Sequence, residues 1–170
     1  MSEPTPVRKS YSPSFVLTVF AILLAVDQAI KAYVRGSLDL YQSTHGPWPG
    51  IFEITLTYNR GIAFGLAQGG GVFFAPVALL ITGLCFRYCF KNPRETLLTQ
   101  CSMAMLASGA VGNLIDRLWL GKVTDMFWLR IIDFPVFNFA DACITTGAIL
   151  LSIRFLFEPK PKVNAEGVVV

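Results

Sequence analysis

Four apolar runs dominate this chain, each long enough, or nearly so, to cross about 30 Å of hydrocarbon as a helix. They extend from Pro13 to Val34, Gly71 to Phe90, Thr96 to Leu120 and Phe137 to Phe157. Backbone N–H and C=O groups in lipid have to be paired within their own segment, so spanning segments are helical. Only 15% of the 170 residues are charged and 54% are hydrophobic, whereas a soluble domain is about a quarter charged. The expected fold is an all-α membrane protein of four transmembrane helices, forming one domain over 1–158. The third run is rich in small residues (Ala104, Ala107, Ser108, Gly109, Ala110, Gly112), which let helices approach closely in lipid. Arg8 and Lys9 precede the first run as in a secretory signal. That run continues to Val34 without a clear small-residue cleavage site, so it reads as a retained helix.

Orientation follows from the positive charges. Arg8 and Lys9, then Arg87, Lys91 and Arg94, then Arg154, Lys160 and Lys162 fall on one side of a four-span arrangement. Both termini are then cytoplasmic, and the loops 35–70 and 118–137 face the other side together. In the first loop, HGPWPG (45–50) reads as a turn. IFEITLTYN follows, in which Phe52, Ile54, Leu56 and Tyr58 alternate with Glu53, Thr55 and Thr57, the mark of a half-buried strand. Gly61, Gly65 and Gly69 to Gly71 form a flexible lead into the second span. VTDMFWLRIIDF in the other loop also suits short strands. A small extracytoplasmic β-sheet at the outer membrane surface is expected, with a disordered cytoplasmic tail over 159–170.

Polar residues gather at the same membrane face: Asp27, Asn59, Asn113, Asp116, Arg117, Asp125, Asn138 and Asp141. A carboxylate inside a span is costly and needs a partner or a purpose. Asn138 suits an N-cap, and Asp141 three residues on would sit in the first turn, where the helix dipole favours negative charge. Asp116 and Arg117 suit snorkelling and pairing at the interface. Asp125, flanked by Val123, Met126, Phe127 and Trp128, faces desolvation and a raised pKa. Two such carboxylates brought together could share a proton, one acting as general base on water and the other as general acid. Intramembrane carboxylates also mark transport and proton relays, and a structural protein could use all of these residues as caps and anchors. Clustering at one face, without an inverted repeat, weighs against transport.

Other chemistry has little support. Cys85 and Cys89 have i, i+4 spacing, but Cys101, Cys143 and the single His45 do not complete a four-ligand zinc set. The cysteines read as packing residues. A net charge of +3 without a basic, aromatic-interleaved patch excludes nucleic acid as the expected partner.

The segments VDQAIK (26–31), YNRGIAFG (58–65), GNLIDRLWLGKVTD (112–125) and FNFADACI (137–144) resemble the lipoprotein signal peptidase family, also called signal peptidase II. The four blocks stand in the family's order and in register with the four spans. The resemblance implies a multi-pass aspartyl endopeptidase of the bacterial inner membrane with no metal or cofactor, working as a monomer among membrane lipids. Its substrates would be diacylglyceryl-modified prolipoproteins, cut just before the lipidated cysteine at the extracytoplasmic face. The resemblance assigns the catalytic pair to Asp125 and Asp141. It assigns substrate contact to Asn59, Gly61, Asn113, Arg117 and Asn138, and a supporting role to Asp27 and Lys31. It also implies a periplasmic β-cradle. Met126, Arg60 and Asp133 depart from the family's pattern, and Asp133 is a possible decoy carboxylate.

Overall fold

A computed structural model of the protein describes residues 10–61 and 75–157. Helix α1 (Pro13–Ser37) starts where Ser12 Oγ accepts from the Phe15 N–H, with Pro13 at its first position. Two strands follow, β1 (Ser43–Trp48) and β2 (Phe52–Asn59). Helix α2 (Ala75–Lys91) and helix α3 (Leu97–Leu120) come next, α3 capped by Thr96 and closed by Gly121 at φ 69°. That left-handed closure is the usual place for glycine after a helix. Strand β3 (Val123–Leu129) and a 3-10 turn (Arg130–Ile132) lead into helix α4 (Phe139–Leu156). Among the described residues, α1, α3 and α4 are long and apolar enough to cross a membrane. The expected opening of the second span at 71–74, Gly65 and the glycine run at 69–71, Arg8, Lys9 and the tail 159–170 lie outside the described residues.

Helix α3 is the centre of the bundle and packs against each of the other three helices. Apart from Leu114, its buried side chains are small or polar, among them Ala104, Ala107, Ser108, Ala110, Asn113 and Asp116. Large apolar residues of the other helices, such as Leu17, Ile22, Leu79, Leu80, Leu84, Ile149 and Ile153, point outward. Small and polar inside with large and apolar outside suits hydrocarbon surroundings, where close packing and interhelical polar contacts hold helices together. The close approach is most severe at Gly109, where an added Cβ would collide with the Ala140 carbonyl oxygen and with Ile144 Cγ1, the latter at 2.6 Å. Gly109→Ala is therefore expected to push α4 off α3 and lower stability by about 2 kcal/mol, as for overpacked cores. Gly36→Ala, with nothing within 4 Å of the new methyl, should change it by less than about 0.5 kcal/mol. Thermal unfolding in one detergent compares the two, and equal shifts would refute the argument.

The two long loops meet in one antiparallel sheet of order β1-β2-β3. The pairing sets Thr57 opposite Asp125 and Asn59 opposite Val123. Leu56 of β2 and Met126 of β3 bury against Val34 of α1, seating the sheet on the end of that helix. Two expectations need correction. HGPWPG is not simply a turn: His45 to Trp48 belong to β1, with a cis Gly46–Pro47 bond, and the reversal comes at 49–51. An edge strand tolerates Pro47 because its missing N–H faces no partner. The polar face of β2 is also not solvated. Glu53 is fully buried because Ser43 Oγ (2.6 Å), the Gly50 N–H (3.0 Å) and Arg130 Nη1 (2.9 Å) all donate to its carboxylate. Those hydrogen bonds, the Ser43 hydroxyl foremost, hold its pKa down at about 2.

Candidate active site

Four elements supply one polar cluster. Asp125 comes from β3, Asp141 from the first turn of α4, Asn113 from the C-terminal part of α3, and Lys31 with Asp27 from α1. Asn138, the N-cap of α4, ties them together. Its Oδ1 accepts from the Asp141 N–H (2.9 Å), and Asp141 Oδ2 accepts from the Asn138 N–H (3.3 Å), a reciprocal capping box. The local capping role of Asp141 is therefore present, and it orients the same carboxylate for contact elsewhere. Asn138 Nδ2 donates to Asp125 Oδ1 at 2.6 Å and to Asn113 Oδ1 at 3.1 Å. Asn113 Nδ2 donates in turn to Asp141 Oδ1 at 2.7 Å. Neutral side-chain amides thus hold both carboxylates: Asn138 and Asn59 on Asp125, and Asn113 on Asp141.

Behind the amides lies a buried ion cluster. Lys31, wholly buried, donates to Asn113 Oδ1 (3.0 Å) and the Gly112 carbonyl (3.4 Å), and pairs with Asp27 (2.9 Å) and Asp116 (3.7 Å). Asp27 also accepts from the Ala140 N–H (3.0 Å), fixing the start of α4. Asp116 does not pair with its neighbour Arg117, as its position in the sequence suggested. It faces Lys31 and Arg35 (3.5 Å) and accepts from the Thr124 N–H (2.8 Å), anchoring β3 one residue before Asp125. Arg117 points the other way. It donates to the carbonyls of Gly61 (3.2 Å) and Asn113 (3.4 Å), and its buried Nε has no partner among the described residues. Gly61 is held in turn, its N–H donating to Asn59 Oδ1 at 2.9 Å.

Asp125, Asp141, Asn59, Asn113 and Arg117 line one cavity of about 610 Å³. Its remaining walls are mostly apolar: Val77, Ala78 and Ile81 of α2, Ala110 of α3, Ile144 of α4, and the segment Phe134–Phe137. Burial, with the Asp141 charge nearby as the next cause, pushes the Asp125 carboxyl up to about 7. A carboxyl that keeps its proton near neutrality beside a second carboxylate is the arrangement that general acid–base hydrolysis requires. Asp133, by contrast, is exposed and closes the 3-10 turn at φ 46°, away from the cluster.

The sequence reading did not place Arg35 or Gln28 at the site. Arg35 Nη1 reaches Thr124 Oγ1 (2.9 Å), and Gln28 Nε2 bridges Asp27 (3.0 Å) and the Gly112 carbonyl (3.1 Å). The stripe Asp27, Lys31, Arg35 at i, i+4, i+8 was the available signal for Arg35, since such residues share a helix face.

The sequence model described as Signal peptidase (SPase) II matches residues 19–157. A lipoprotein signal peptidase of Streptococcus thermophilus is 39% identical over 145 residues, covering 85% of this chain and 92% of its own. One of Staphylococcus carnosus is 34% identical over 156 residues, covering 91% and 98%. Among solved structures, a bacterial membrane enzyme determined by the in meso method at 2.3 Å resolution superposes with a TM-score of 0.83 at 28% identity, covering 94% of this chain and 100% of that one.

Proposed function

Because this chain belongs to the signal peptidase II family, we propose that Asp125 and Asp141 are the catalytic pair with which it removes signal peptides from prolipoproteins. The family's chemistry is that of an aspartyl protease. The observation that carries the assignment is the single cavity in which both carboxylates are held by Asn113 and Asn138, with Asp125 raised to about 7. The relatives are peptidases, and nothing among them favours transport.

The chain completes four spans with α2, whose 17 described residues (about 25 Å of helix) fall just short alone. Both termini lie in the cytoplasm, and the sheet rests as a cradle on the extracytoplasmic face of the bacterial inner membrane. The single domain works as a monomer on diacylglyceryl-modified substrates. Lipid holds the cysteine at the bilayer surface, and the signal segment enters beside α2 and α4 along the apolar walls of the cavity. The ionised carboxylate of the pair takes a proton from water as its oxygen attacks the scissile carbonyl carbon. The protonated one donates to the carbonyl oxygen, and a proton passes to the leaving amine as the C–N bond breaks. The pair titrates as a unit. Arg117, whose Nε has no partner among the described residues, and Asn59 and Gly61 beside it hold the substrate backbone. Asp27 and Lys31 support the site from behind.

Purified protein in lipid or detergent is expected to cut a synthetic diacylglyceryl prolipoprotein before the lipidated cysteine. Failure of well-folded protein to cut it overturns the reading. The rate should fall as pH rises through about 7, because the proton shared by the pair is then lost. A flat profile from pH 5 to 9 would remove Asp125 from the acid–base role.

A further inference from the structure

Asp125 opens onto two cavities, and the second is of another kind. It holds about 570 Å³, and the described residues that line it are all in strands and loops, among them Tyr41, Thr57, Tyr58, Arg60 and Lys122. Among the described residues, no side chain of the four helices lines it. Lys122 is fixed with its ammonium 3.4 Å above the centre of the Tyr58 ring, a cation–π contact that positions the charge without neutralising it. Arg60 is exposed. Neither cation makes an ion pair among the described residues, and Asp125 is the sole carboxylate among those lining this cavity.

A substrate cut at Asp125 has one half on each side of the scissile bond. The apolar cavity between the helices fits the hydrophobic signal segment, which leaves the sheet-side cavity for the chain beyond the cut. We propose that this second cavity is a specificity subsite for the polypeptide just downstream of the lipidated cysteine, and that Arg60 and Lys122 make it favour acidic side chains there. The inference rests on the signal peptidase reading given above. Lys122 precedes Asp125 by three positions in sequence, about 10 Å of extended chain at 3.3 Å per residue. An extended substrate therefore meets the cations with about its second to fourth residue after the cysteine. Of the two charges that depart from the family's pattern, Arg60 and Asp133, only Arg60 is among the described residues lining this cavity, so its share of the preference belongs to this chain.

The test uses three diacylglyceryl prolipopeptides that differ only in those three residues: all Asp, all Ser or all Lys. The wild type should cut the Asp peptide with a kcat/KM at least about fivefold above the Ser peptide, and the Lys peptide correspondingly worse, as exposed charge pairs allow. The difference should sit mainly in KM and shrink at high salt. In Arg60→Gln/Lys122→Gln the preference should fall below about twofold while the Ser peptide is still cut. Cleavage of all three peptides at equal rates by the wild type overturns this inference alone, as does a preference that survives in the double variant. Cleavage of none by folded wild type overturns the peptidase reading and this inference with it.

Discussion

Asp125→Asn and Asp141→Asn are each expected to lose at least about 10³-fold in kcat/KM on a diacylglyceryl prolipoprotein. The expectation is sharp because asparagine preserves shape while removing the titratable group. At position 125 the side-chain oxygen can still accept from Asn138 Nδ2, the 2.6 Å contact that seats the carboxylate. At position 141 it can still accept from Asn113 Nδ2, but the second oxygen becomes an NH₂ group facing the Asn138 N–H. Half the capping box is lost there, worth about 1 kcal/mol, so Tm is measured beside activity. Combining both substitutions should cost about as much activity as either alone, since the pair works as a unit. Asp133→Asn should cut at the wild-type rate, because asparagine tolerates the left-handed conformation that Asp133 adopts. Activity within about tenfold of wild type in either site variant would mean that the wrong carboxylates have been paired.

Helix positions were legible because spans in lipid are set by long apolar runs. The expected start at Pro13 and end at Leu120 coincide with α1 and α3. Strand β2 was legible from alternation, and its bounds 52–59 agree with the expected run. What alternation could not show is that Glu53 is buried, because its partners Ser43 and Arg130 lie 10 and 77 positions away. The pairing of Asp116 was misplaced for the same reason. Its neighbour Arg117 is 100° away around the helix, while Lys31 and Arg35 approach from another helix altogether. Asn138 was legible as an N-cap, yet not as the bridge between Asp125 and Asn113. That role needs β3, α3 and α4 to converge, and it depends on Gly109 and Gly112 allowing α3 to close on α4 and α1. The chemistry-bearing residue types could be read from the sequence, whereas their partners came only with the packing.

Lys31→Met carries the second large expected effect. Methionine roughly matches the length of lysine without its charge, so the change tests electrostatics more than volume. Lys31 is wholly buried and stands between Asp27 at 2.9 Å and Asp116 at 3.7 Å. Asp116 keeps Arg35 and the Thr124 N–H, but Asp27 is left with Gln28 and the Ala140 N–H and no counter-charge. Removing one partner of a buried ion pair costs about 3–5 kcal/mol, which should appear as a large fall in Tm and in folded yield. Asp27→Asn added to Lys31→Met removes the stranded charge and should restore part of the loss, the coupling expected of contacting residues. If Lys31→Met shifts stability by less than about 1 kcal/mol, the ion cluster is not what braces α1 against α3 and α4. The double variant then reports on the site itself. The Lys31 charge helps to hold down the Asp125 carboxyl, which burial and Asp141 raise to about 7. Without that cation the carboxyl should rise further, so the alkaline limb of the cleavage profile moves to higher pH. An unmoved limb in a folded, active double variant would confine Lys31 to holding the helices together.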